Sequence, residues 1–250
     1  MKKMFEKNEC TFAIILIVIY VVGSSVMLRV SDAIGVKFLA ETIFNTILST
    51  IILVFIIKNQ LQKHVGLCKS QVSATKMLLY VPLPVIAMVA TFFGIGTEFT
   101  AAQLVLRTLM MINVGFLEEV IFRGFLFRGI AKDSVKEAVI ISSVTFGIGH
   151  IVNLLNGYDI LKNVIQIVFA VAVGFMLVFI FLRTGSIISC IIFHAFNNSI
   201  SAVSNAQHLI DALGSKEAAD LLTAGIGIVI ALLYTIYIVK VIPKRELTDM

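Results

Sequence analysis

The chain has 250 residues, 59% of them hydrophobic and only 14% charged, where soluble domains carry about 25% charged residues. This excludes an ordinary soluble protein and leaves an integral membrane protein. The formal net charge of +5 sits beside apolar runs, so it reports topology and gives no reason to expect nucleic acid as a partner. Cys10, Cys68 and Cys190 are odd in number and widely spaced, which provides neither a disulfide framework nor a CxxC metal pattern.

A bilayer is crossed by about 20 apolar residues in a helix. The first such stretch, 11–28, follows the basic start Met1-Lys2-Lys3. It is too long for the apolar part of a signal peptide and lacks an A-x-A-like cleavage site, so a retained helix is expected. A second stretch, 38–57, leads into a polar loop rich in lysine. The third, 77–95, contains Pro82 and Pro84, which predict a kink or an unwound turn. The fourth, 104–130, is long and carries charges. The fifth, 135–155, ends in the turn-like Asn156-Gly157-Tyr158-Asp159. Stretches 164–182, 186–206 and 218–242 complete the set. The expected fold class is all-α: a polytopic transmembrane bundle of about eight helices around a polar cavity. It forms a single domain, 1–250, whose motif-bearing core is about 104–206. With the N-terminus inside and the spans alternating, 15 Lys and Arg, Arg123 and Arg245 included, fall on the cytoplasmic side and 5 on the outer side. Both termini are therefore expected in the cytoplasm.

Three predicted spans carry more than scattered hydroxyls. The fourth holds Glu118, Glu119 and Arg123. Ionisable groups at bilayer depth are costly and point to function. Glu119 and Arg123 are four apart and can pair on one helix face, which offsets much of that cost. Glu118 lies about 100° around the helix and is left without an intrahelical cation. A poorly solvated, unpaired carboxylate holds a proton more readily than one in water, as a general base near neutral pH requires. The fifth span holds Phe146-Gly147-Ile148-Gly149-His150, and its two glycines allow close approach of a helix or a substrate. The seventh holds His194 and Asn198 one turn apart, two hydrogen-bond donors suited to a developing oxyanion. Bland readings stand beside each of these: a structural ion pair, a packed histidine, an interhelical hydrogen-bond pair. Asn113 could line the same cavity, Cys190 is expected as a buried thiol, and His64 and His208 are expected to be solvated in loops. HExxH, GxSxG and phosphate-loop motifs do not occur.

Glu118-Glu119-x-x-x-Arg123, Phe146-x-x-x-His150 and His194-x-x-x-Asn198, in that order, resemble the three motifs of the CPBP family of CAAX prenyl proteases and bacteriocin-processing enzymes, also called the Abi family. The resemblance runs from about 115 to 198. It implies an intramembrane endopeptidase in which Glu118 and His150 activate water, His194 and Asn198 stabilise the oxyanion, and Glu119, Arg123 and Phe146 support them. No cofactor is favoured, because Asn198 is a poor zinc ligand. If the enzyme were metal-dependent, Glu118, His150 and His194 would hold Zn²⁺. The expected partners are a membrane-associated peptide or protein substrate and the lipid bilayer. The richness in Ile, Lys and Asn points to a bacterial cell membrane, where relatives act in bacteriocin or peptide-signal maturation and in immunity, and these are favoured over processing of prenylated CAAX tails. Two other classes remain: a non-catalytic membrane scaffold that regulates a sensor or secretion partner, and a proton-coupled carrier, which would call for inverted repeats that the sequence lacks.

Overall fold

A computed structural model describes residues 1–244, and among them the chain is helical, with no strand beyond an isolated antiparallel bridge between Ile95 and Ser204. The helices are α1 (Lys2–Lys7), α2 (Glu9–Ile34), α3 (Leu39–Lys58), α4 (Pro82–Met88), α5 (Ala101–Glu118), α6 (Arg128–Ala131), α7 (Val135–Ile148), α8 (Val152–Leu155), α9 (Ile160–Thr184), α10 (Ile188–Ile200), α11 (Gln207–Leu213) and α12 (Lys216–Val241). Local sequence explains their ends. The Asn8, Ser134, Asp159 and Ser215 side chains cap α2, α7, α9 and α12, Thr100 and Gln103 form a reciprocal capping box at α5, and Gly35 and Gly185 stop α2 and α9 at φ 74° and 70°.

Five helices are long and apolar enough to cross a membrane: Glu9–Ile34, Leu39–Lys58, Val135–Leu155, Ile160–Thr184 and Lys216–Val241. The other three of the eight expected spans differ from simple membrane helices. The stretch 77–95 is broken. Met77 is followed by left-handed backbone at Leu78, Leu79 and Tyr80, Pro82 opens the seven-residue α4, and a single 3₁₀ turn, Thr91–Phe93, precedes the bridge at Ile95. The stretch 186–206 yields only the 13 residues of α10. The long fourth stretch is continuous but not uniform: Glu119–Phe127 is a π-helix of nine residues, all buried, joining α5 to α6. Such segments are rare and tend to occur at functional sites. Within it the Phe122 carbonyl accepts from the Ser142 hydroxyl of α7 at 2.9 Å.

Side-chain and backbone bonds gather one set of helix ends and loops together. Lys132 and His64 both pair with Glu9, Gln71 N–H donates to the Thr184 carbonyl, Ile187 N–H donates to the Gly66 carbonyl, and Arg183 donates to the Val239 carbonyl. His64 is thus a hydrogen-bond partner of Glu9 and not the freely solvated loop residue expected. The loop after α3 is tucked inward, with Val65 and Met77 fully buried, and Val65 reaches the π-helix at Gly124, where a side-chain Cβ would lie 2.9 Å from the valine Cβ. At the opposite end Arg107 donates to Ser201 at 2.9 Å and lies over the rings of Phe38 and Phe99. Segments assigned to one side by alternation therefore meet in space, apart from Arg245, which lies outside the described residues.

The glycines of the fifth predicted span divide their work. A Cβ on Gly147 would lie 2.3 Å from Val171 and 2.9 Å from its backbone nitrogen on α9, whereas one on Gly149 would meet nothing within 4 Å. Gly147 thus permits the α7–α9 crossing and Gly149 leaves space beside His150. Gly147→Ala is expected to cost about 1–3 kcal/mol through overpacking and to lower the thermal midpoint in detergent, while Gly149→Ala leaves it unchanged. Equal midpoints for the two variants would contradict the close crossing.

Candidate active site

The charged cluster sits where α5 passes into the π-helix, with Glu118 the last α-helical residue and Glu119 the first π-helical one. The pairing expected from spacing is present. Arg123 Nη1 donates to Glu119 Oε1 at 3.1 Å, and both side chains are 0% exposed. The guanidinium also lies 4.1 Å from the centroid of the Phe146 ring, a cation–π contact that partly replaces lost hydration.

Glu118 faces elsewhere, as expected, but it is not without partners. The Tyr20 hydroxyl of α2 donates to Glu118 Oε1 at 2.6 Å, and His194 Nε2 of α10 is 3.5 Å from Oε2. Tyr20 was missed: it lies 98 residues away in an apolar run where an aromatic reads as core. Its only sequence signal is a hydroxyl on a deeply placed ring, which needs a partner when buried. His194 Nδ1 is 2.9 Å from Glu119 Oε1, so one imidazole bridges both glutamates. It comes this close because Gly115 on α5 lets α10 approach; a Cβ there would lie 2.8 Å from the Ala195 nitrogen.

A cavity of about 310 Å³ adjoins this cluster. Glu118, His150, Asn198, Phe122, Phe146 and Tyr20 are among the residues that line it. Of the four residues expected to converge, three are in the wall. His194 is the fourth and lies behind it, buried, with both ring nitrogens directed at carboxylates. His150 Nδ1–H donates to the Phe146 carbonyl at 3.2 Å, which leaves Nε2 as an acceptor. Asn198 Oδ1 accepts from the Asn197 amide at 3.2 Å, an unanticipated contact that leaves the Asn198 amide hydrogens for other use. Phe146 is the hub of the group, edge-on to Phe122, His150 and His194 at centroid distances of 5.5, 5.7 and 5.5 Å.

Other candidates fall away from the cavity. The Asn113 amide donates to Thr46 on α3 at 3.2 Å and to the Leu109 carbonyl, and so braces α5 against α3. Cys190 is fully buried, with its thiol 3.6 Å from the Leu177 carbonyl. Among the described residues no three His, Cys, Asp or Glu side chains are gathered as a metal-ligand set. Glu118 and His194 are neighbours, but they and His150 do not form such a set among the described residues.

A family model described as Type II CAAX prenyl endopeptidase Rce1-like matches residues 99–200, a span that contains every motif residue above. No curated protein matches the chain.

Proposed function

From the membership of residues 99–200 in the CPBP/CAAX protease family, a family of membrane-embedded peptidases, we propose that the protein hydrolyses a peptide bond of a membrane-associated peptide or protein with Glu118 as general base. One observation carries this reading. Of the acidic pair, Glu118 alone lines the cavity, while Glu119 is held behind it by Arg123 and His194.

In the proposed reaction a water in the cavity gives a proton to the Glu118 carboxylate, with His150 Nε2 as its second acceptor. The water oxygen attacks the scissile carbonyl carbon, and the carbonyl electron pair moves onto oxygen, where the Asn198 amide donates to it. The carbon–nitrogen bond then breaks, and Glu118 returns the proton to the leaving amine. His194 is a positioning residue in this scheme and not an oxyanion donor, because both its nitrogens already face carboxylates. Tyr20 fixes Oε1 of Glu118.

The test uses purified protein in vesicles, offered a pool of membrane-associated peptides, with new termini read by mass spectrometry. Wild type is expected to generate them. His150→Ala, which keeps the Phe146 ring and the Glu119–Arg123 pair, is expected to lose about 10²-fold or more in rate with an unchanged thermal midpoint. Undiminished cleavage by His150→Ala removes it from the mechanism.

A further inference from the structure

Glu118 and Arg107 lie on nearly the same face of α5, eleven residues or about 16 Å apart along the axis. The cavity runs between them, because Glu118 and Arg107 both line it, together with Asn156, Tyr158 and Ser201 from the loops and helix ends around Arg107. Tyr158 is 47% exposed and Leu155 in the same turn 75%, so the cavity opens at that end. In the other direction it is closed. The nine π-helical residues below Glu118 are all buried, and the loop after α3 is tucked beneath them, with Val65 against Gly124.

The two ends differ in charge. With Arg123 buried in its ion pair and Arg245 outside the described residues, thirteen Lys and Arg belong to the closed end, in α1, the loop after α3, the α6–α7 turn and the C-terminal ends of α9 and α12. Five, Arg29, Lys37, Arg107, Lys162 and Lys216, belong to the open end. All of these loops are short, and short loops rich in Lys and Arg stay in the cytoplasm.

We infer that the candidate catalytic cavity opens on the membrane face away from the cytoplasm, and that the substrate is a peptide or protein segment presented on that face, such as an exported peptide or the outer part of a membrane protein. Neutral side chains along the walls, Ser25 together with Asn153 and Gln166, which share one hydrogen bond and keep further donors and acceptors, suit an extended peptide backbone, which needs its own groups satisfied away from water. A tail carried by a cytoplasmic protein would meet the closed, basic end. The substrate assignment rests on the protease reading; the direction of opening does not.

Side-specific labelling tests the direction without any need for activity. In a chain with Cys10, Cys68 and Cys190 replaced by serine or alanine, Tyr158→Cys marks the mouth and the exposed Lys69→Cys marks the basic loop. A membrane-impermeant maleimide applied to intact bacterial cells is expected to label the Tyr158→Cys variant, and to label the Lys69→Cys variant only after permeabilisation. Leu155→Cys, in the same turn, serves as the mouth probe if the Tyr158→Cys variant is unreactive in permeabilised cells. Labelling of the Lys69→Cys variant in intact cells, or of the mouth probe only after permeabilisation, overturns the inference, whether or not the protein cleaves anything.

Discussion

Glu118→Gln is expected to leave a folded, membrane-inserted protein whose cleavage rate is lower by about 10²–10⁴-fold. Glutamine has the shape of glutamate. Its carbonyl oxygen can still accept from Tyr20 at the 2.6 Å position of Oε1, and its amide can face His194, so the packing of α2, α5 and α10 should survive. What is lost is the carboxylate as a proton acceptor. The measurement is kcat/KM on a peptide found by the vesicle assay, with thermal unfolding as the control for fold. A variant that keeps more than a tenth of wild-type activity would sink the assignment of Glu118, and would favour a non-catalytic role for the cluster.

The second large effect is structural. Arg123→Met is expected to destabilise the protein by about 3–5 kcal/mol, because removing one partner of a fully buried ion pair leaves the other uncompensated. The arginine is 0% exposed, so solvent cannot take over for the missing cation. Its loss also removes the contact with the Phe146 ring and the 3.5 Å approach of Nη2 to the Gly174 carbonyl. By the usual scaling, the thermal midpoint should fall by roughly 6–20 °C. The double variant Glu119→Gln with Arg123→Met is expected to recover a large part of that fall, since no buried charge is then left alone. An Arg123→Met midpoint within a degree or two of wild type, or a double variant as unstable as the single one, would show that the pair does not hold the π-helix in place.

The parts of this architecture legible in the sequence are those set by one helix at a time. The Glu119–Arg123 pair followed from a spacing of four, the break in the third stretch from Pro82 and Pro84, and the division of Glu118 from Glu119 from the angle between neighbours on a helix. What could not be read depends on contacts between distant segments. Tyr20 reaches Glu118 across 98 residues. The imidazole of His194 was placed by its spacing to Asn198, but its direction is fixed by how closely α10 passes Gly115, which no local pattern contains. The shape of two spans was hidden for a related reason. Hydropathy measures apolarity and does not report where a helix is broken or how short it is, so the 13-residue α10 and the broken stretch around α4 read like the five continuous apolar helices. The π-helix was equally hidden, because its sequence keeps the motif spacing of an α-helix.

The tucked loop after α3 has a consequence for biogenesis. Two of its anchors are groups made much later in synthesis: the Cys68 thiol donates to the Gly185 carbonyl, 117 residues on, and the Ser186 hydroxyl donates to the Cys68 carbonyl at 2.6 Å. At about 5–20 residues per second, the ribosome reaches those partners roughly 6–24 s after it has made the loop. Until then the floor beneath the two glutamates lacks these two bonds, although a nascent chain already carries the first two motifs. Full closure of the floor is thereby tied to completion of the ninth helix and the turn that follows it.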